Sequence, residues 1–187
     1  DNFLEKVKSL AHKNDALLIF DEMVTGFRVD LGGAQKLFNV IPDLSTFGKA
    51  IANGYPLSAV VGRNDVMNKV EDIFFSGTFG GETLSLIAAS KVIDIYQDKK
   101  VVEYFVKLGT ILRDGVDALI KKHQLDNIVS ISGIPAWSIL KFEEIDSYSS
   151  LEVKTFFLQE VFKRGILTIG SHNISFSHTL KDIDKLL

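Results

Sequence analysis

Three short stretches hold residues that could do chemistry together. The first is the acidic pair Asp21-Glu22, which ends the apolar run Ala16-Leu17-Leu18-Ile19-Phe20. The second is Lys49, set between Gly48 and the small or apolar residues Ala50-Ile51-Ala52. The third is Gly77-Thr78, which opens the turn Gly77-Thr78-Phe79-Gly80-Gly81-Glu82-Thr83. A carboxylate at the C-terminal end of a buried strand sits at the rim of an open α/β sheet, where ligands bind. A desolvated lysine has a lowered pKa, which Schiff-base chemistry needs. Backbone amides in a glycine-rich turn before a helix, together with a hydroxyl, form an anion nest aided by the helix dipole. Asp21 and Lys49 would then grip two ends of one flat, charged cofactor.

Each stretch also has a plainer reading. An acidic pair standing alone is a helix cap or half of an ion pair, and a lysine is usually a solvated surface charge. A lone glycine-rich turn before a helix is more often just a turn. A strand ending in Asp-Glu also holds Mg²⁺ in P-loop nucleotidases, but that reading needs G-x-x-x-x-G-K-[ST] upstream. The Gly48-Lys49 pair lies downstream and is followed by Ala50, which has no hydroxyl for the metal. His172 and His178 have no acidic cluster at ligand spacing, so structural roles are expected for them and no metal site is expected. Trp137, Phe142, Phe156 and Phe157 read as core.

The elements that would position these residues follow from periodicity. Phe3, Leu4, Val7, Leu10 and Ala11 share one helical face over residues 3–13. Ala16–Phe20 follows as a strand, apolar on both faces as in a central parallel strand. Helix, turn and buried strand make one step of a βαβ progression, which implies a further strand before residue 1. Residues 43–47 and 57–62 are the next strands, 64–70 a helical turn and 73–76 a short strand. A helix from 82 to 96 is apolar through Leu84, Ile87, Ala88, Val92 and Ile95. The cleanest period belongs to Val101, Phe105, Leu108, Leu112, Val116 and Leu119, ending at Lys121-Lys122-His123. Residues 128–132 and 136–142 form a hairpin-like unit. A helix over 151–164 is closed by Gly165. Short strands at 166–169 and 174–176 and a helix from Leu180 complete a small α+β unit.

Composition bounds the rest. The 187 residues are 46% hydrophobic, which is globular, and their net charge of −3 offers no basic footprint for nucleic acid or membrane. There is no cysteine, hence no disulfide framework and no thiolate chemistry, which fits a reducing compartment and a cytoplasmic location. No apolar run approaches the ~20 residues that span a bilayer. The chain opens without Met and already in a helical pattern, so a fragment of a longer protein is expected.

The ordered set Asp21-Glu22, Thr25-Gly26-Phe27-Arg28, Gly32-Gly33-Ala34-Gln35, Val40-Ile41-Pro42-Asp43, Gly48-Lys49 and Gly54-Tyr55-Pro56 resembles the fold-type I, class III pyridoxal-phosphate aminotransferases. The nearest branch looks like glutamate-1-semialdehyde 2,1-aminomutase and its aminotransferase relatives. Gly80-Gly81-Glu82-Thr83 stands where the aminomutase branch tends to have Ser-Gly-Asn-Pro. The resemblance implies an α/β fold: part of a large domain, with a mostly parallel sheet and flanking helices, over 1–108, and an incomplete small α+β domain over 109–187. It implies transfer of an amino group through a Schiff base on Lys49. It also assigns pyridoxal 5'-phosphate to Asp21 at the ring nitrogen, Met23 at the ring face and Gly77 and Thr78 at the phosphate across a dimer interface. A homodimer and a small amino-acid or amino-sugar-like substrate follow from the same likeness. The family's own phosphate loop and ring-stacking aromatic lie in an N-terminal half not matched here, so the fragment by itself is alternatively inactive.

Overall fold

The computed structural model describes residues 2–187. The chain divides into two compact units, Asp1–Val102 and Glu103–Leu187. The division falls in the first turn of a long helix, upstream of the expected 108/109 boundary.

In the first unit, the N-terminal amphipathic pattern forms α1 (Phe3–Lys13). The acidic pair follows in β1 (Ile19–Asp21), with Asp21 as its last residue. A loop and the short helix α2 (Ala34–Leu37) lead to β2 (Leu44–Phe47) and β3 (Ala59–Gly62). β1 and β2 are parallel, with Asp21 opposite Thr46. β2 and β3 are antiparallel, so the sheet is mixed. The segment between Phe47 and Ala59 is too short for the dozen or more residues that a parallel crossover needs. The helical turn α3 (Asn64–Met67) and the helix α4 (Thr83–Asp98) follow.

Asp43 fastens this unit. It is 1% exposed, and its Oδ2 accepts from Leu18 N–H at 2.7 Å and lies 2.9 Å from His12 Nε2. Its Oδ1 accepts from Arg63 Nη1 at 2.6 Å. One carboxylate thereby joins α1, the entry to β1, the start of β2 and the exit of β3. The Leu18 backbone donor is the largest influence holding its pKa far below the ordinary carboxylate value, with His12 and Arg63 adding to it. A depressed native pKa stabilises the fold above the unfolded value of about 4, and that contribution is lost as pH falls toward the native value. The urea midpoint should therefore drop between about pH 6 and about pH 3, and Asp43→Asn should flatten that slope.

In the second unit, α5 (Val101–Lys122) presents Phe105, Leu108, Leu112 and Ile120 to the core, where Ala136, Leu140, Ile174 and Ile183 are also buried. The hairpin of β4 (Val129–Ile134) and β5 (Trp137–Phe142) is antiparallel, and β6 (Ser171–Asn173) pairs with β5. α6 (Ser150–Lys163) starts in a capping box between Ser149 and Glu152. It ends in a Schellman motif, with Gly165 N–H on Phe162 O and Ile166 N–H on Val161 O. The chain closes with α7 (Leu180–Leu186). His172 is buried with its Nδ1 3.0 Å from Ser138 Oγ, and burial lowers its pKa. His178 Nδ1 accepts from Ser175 N–H at 3.1 Å.

Several expectations are corrected. Within this chain β1 pairs only with β2 among the described residues, and Ile19 is 55% exposed; the further strand expected beside it is not among them. Residues 73–76 form no strand, and Phe74 is 96% exposed. Residues 166–169 are likewise outside the sheet, and the last strand is 171–173 rather than 174–176. An apolar run becomes a strand only when a ladder takes its backbone groups, and these runs have none. The apolar face of α4 is open at Leu84 and Ile87, with Ser85 and Ala89 buried instead. Phe156 is exposed, whereas Phe142 and Phe157 stack at 5.3 Å.

Candidate active site

The parallel pairing of β1 and β2 fixes the site's frame. Opposite Asp21 stands Thr46, and two residues later come Gly48 and Lys49. Both candidate groups therefore leave the same C-terminal rim of the sheet, the edge where open α/β sheets bind ligands. Asp21 is exposed. Its Oδ1 accepts from Met23 N–H at 2.9 Å and from the Thr46 hydroxyl at 3.4 Å. Its Oδ2 takes no hydrogen bond among the described residues and is open to a cationic partner.

Lys49 starts a 3-10 turn, Lys49–Ile51, with φ +47. That left-handed conformation costs a non-glycine residue stabilisation and is found at positions the surroundings over-determine. α4 packs against this turn. Ala52 is buried at 1% exposure, while the Lys49 side chain is exposed. The expected desolvation is thus corrected: within this chain the turn sends the small residue inward and the ammonium outward.

Met23 does not continue the strand. The chain turns after Asp21, and the Met23 methyl lies where a Gly48 side chain would stand. What places Met23 is the fit of its methyl and sulfur against Gly48, the residue before Lys49.

Gly77 and Thr78 lie in an exposed turn, with Gly80 N–H on Gly77 O at 3.0 Å. The helix that follows does not offer its first turn to an anion. Glu82 already caps it, accepting from Leu84 N–H at 2.9 Å and Ser85 N–H at 2.7 Å. The Ser85 hydroxyl also donates to it, and these bonds lower the Glu82 pKa. A phosphate at this turn would use the Thr78 hydroxyl and the turn's own amides.

Glu22, for which a helix cap was the plainer reading of the acidic pair, is a helix cap. It is 1% exposed and caps α2, with Ala34 N–H on Oε2 and Gln35 N–H on Oε1, each at 2.8 Å. The Thr25 hydroxyl donates to Oε2 as well. Gly33, at φ +77, sits against the carboxylate so closely that a methyl there would overlap it. The sequence signal is Gly33-Ala34-Gln35 following Asp21-Glu22, and only the folded loop gives it meaning. The second unit holds a cleft of about 400 Å³ between Gly165–Thr168 and α7, but none of Asp21, Met23, Lys49, Gly77 or Thr78 lines it. No group of metal-binding side chains occurs among the described residues.

The first unit is thus a mixed α/β unit with Asp21 and Lys49 at the C-terminal ends of two parallel strands. The family model described as aminotransferase class-III matches residues 1–181. The chain belongs to the class-III aminotransferase family. It is 34% identical over 184 residues to 3-aminobutyryl-CoA aminotransferase of Cloacimonas acidaminovorans, covering 97% of this chain and 44% of that protein. It is 35% identical over 200 residues to glutamate-1-semialdehyde 2,1-aminomutase of Methanothrix thermoacetophila, covering 100% and 46%. Among solved structures it superposes on FumI of Sphingopyxis sp. MTA144, described in its PLP internal aldimine form, with TM-score 0.87 and 27% identity over 98% of this chain and 44% of that one. A transaminase with PLP bound gives TM-score 0.90 at 20% identity, a likeness of fold, over 100% and 45%. The chain therefore spans less than half the length of the relatives it matches.

Proposed function

We propose that this chain is part of an enzyme that transfers an amino group with pyridoxal 5'-phosphate, as an aminotransferase or as an aminomutase shifting the group within one substrate. One observation carries the reading: the β1–β2 register that sets Asp21 and Lys49 on the same rim. The donor set fits the cofactor. Lys49 offers an amine to an aldehyde, and Asp21 offers an unengaged carboxylate oxygen to a ring N–H⁺. When bound, the cofactor supplies an aldehyde and a ring that accepts electron pairs. Lys49 holds the cofactor at Nζ, and once released carries a proton to and from the substrate α-carbon. Asp21 keeps the ring nitrogen protonated by charge proximity. Met23 bears on the ring face, and Gly77 and Thr78 hold a phosphate, that of a neighbouring subunit in a homodimer. The substrate is a small amino acid or amino-sugar-like molecule, and the setting is cytoplasmic; no helix among the described residues is long and apolar enough to cross a membrane.

A second reading has its own observation. Asp21 and Lys49 are both exposed on this chain, so the walls that exclude water come from polypeptide beyond it, and the piece alone is inactive. Borohydride reduction of the intact protein with pyridoxal phosphate, followed by peptide mapping, tests the first reading. Adduct concentrated on Lys49 is expected. Adduct spread over the surface lysines in proportion to exposure would remove Lys49 from the chemistry.

A further inference from the structure

Glu22 does more than cap a four-residue helix. Its backbone N–H donates to Thr46 O at 2.9 Å, and its carbonyl accepts from Gly26 N–H at 2.9 Å. Its carboxyl oxygens meet three donors, from Thr25, Ala34 and Gln35, which suits an acceptor-only group. Together these bonds close the loop 22–35 on itself and onto β2. The near side of that loop fits against the residues just before Lys49 with no spare room. A side chain on Gly26 would begin 2.6 Å from Phe47 Cδ1. The Phe27 ring, at φ +61, meets Phe47 edge-on at 6.1 Å and Tyr96 at 5.8 Å. The Met23 methyl occupies the space beside Gly48. Immediately after these contacts the chain enters the left-handed turn at Lys49.

We propose that Glu22 is a positioning residue for Lys49: its carboxylate closes the 22–35 loop, and the closed loop holds Met23, Gly26 and Phe27 against Phe47-Gly48, fixing where Lys49 leaves the sheet. The proposal rests on the reading of Lys49 as the amine that holds the cofactor, but its physical core, a coupling between the loop and the Lys49 turn, stands without a cofactor. The coupling is carried by close packing, which transmits a shift because a dense interior does not absorb it.

The test uses Glu22→Gln in the 187-residue chain. The amide keeps the size but turns one acceptor into an NH₂ that faces a backbone N–H. Residue-resolved amide exchange is compared with the yield of borohydride-trapped pyridoxal phosphate on Lys49. Exchange at Ala34 and Gln35 should rise, and exchange at Ile51 and Asn53, which donate to Gly48 O and Ala50 O, should rise about tenfold. Adduct at Lys49 should fall about tenfold while adduct on other lysines is unchanged. Glu152→Ala, which removes the side-chain acceptor of Ser149 N–H in the α6 capping box, should move neither readout. Faster exchange confined to Ala34 and Gln35, with Ile51, Asn53 and the Lys49 adduct as in the parent chain, would reduce Glu22 to a local cap and overturn the proposal. If the parent chain forms no Lys49 adduct, the reading of the piece alone as inactive holds, and the exchange at Ile51 and Asn53 still decides the coupling. If Glu22→Gln does not fold, Gly26→Ala decides it: the methyl enters the Phe47 ring and crowds the Glu22 backbone carbonyl, while the Glu22 carboxylate keeps its donors. Ile51 and Asn53 should then open while Ala34 and Gln35 stay protected; unchanged Ile51 and Asn53 would refute the coupling.

Discussion

Replacing Lys49 by alanine is expected to lower amino transfer by the assembled enzyme by about 10⁴-fold or more, because positioned proton transfer alone contributes about 10²–10⁴-fold and covalent holding is lost with it. Lys49→Arg should fail equally. A guanidinium keeps the positive charge but does not deprotonate, so it neither attacks an aldehyde nor takes a proton. Rates of both half-reactions, with peptide mapping after reduction, provide the measurement. Retained transfer in Lys49→Arg would show that the position supplies only charge. The exposed setting of Lys49 in this chain makes the comparison informative, since neither substitution disturbs a packed side chain.

The second large effect concerns stability. Asp43→Ala should cost the first unit about 3 kcal/mol, read as a lower urea midpoint with an unchanged slope. The loss has two parts. Leu18 N–H is left without its acceptor in a part-buried place, and Arg63 and His12 lose the group that tied β3 and α1 to β2. Arg63 is about half exposed and keeps Asp65 at 2.6 Å, so water and that neighbour recover part of its share. That recovery sets the figure at the lower end for breaking a buried ion pair. A cost near zero would mean that the β1–β2–β3 sheet is held by its ladders alone.

The residues that the sequence made legible are those whose position depends on local order. Asp21 ends an apolar run and Lys49 follows a strand into a glycine turn, so one parallel register was enough to join them. The partners of Glu22 were not legible, because they stand at 34 and 35 and meet it only after a loop closes. Periodicity found the apolar faces of α1 and α4 but carried no information on what lies over them. Phe3, Leu10, Leu84 and Ile87 are accordingly exposed in this chain. The Glu82 cap was hidden in a turn read for its glycines. Its carboxylate answers the first α4 amides.

The Asp43 junction also bears on how the chain is made. Its donors lie at residues 12, 18 and 63, and the last of them is the farthest along. On the ribosome, α1 and β1 emerge long before Arg63, and at ~5–20 residues per second their apolar surfaces stand open for several seconds. The junction therefore closes only after the end of β3 delivers the guanidinium to a carboxylate already present on β2.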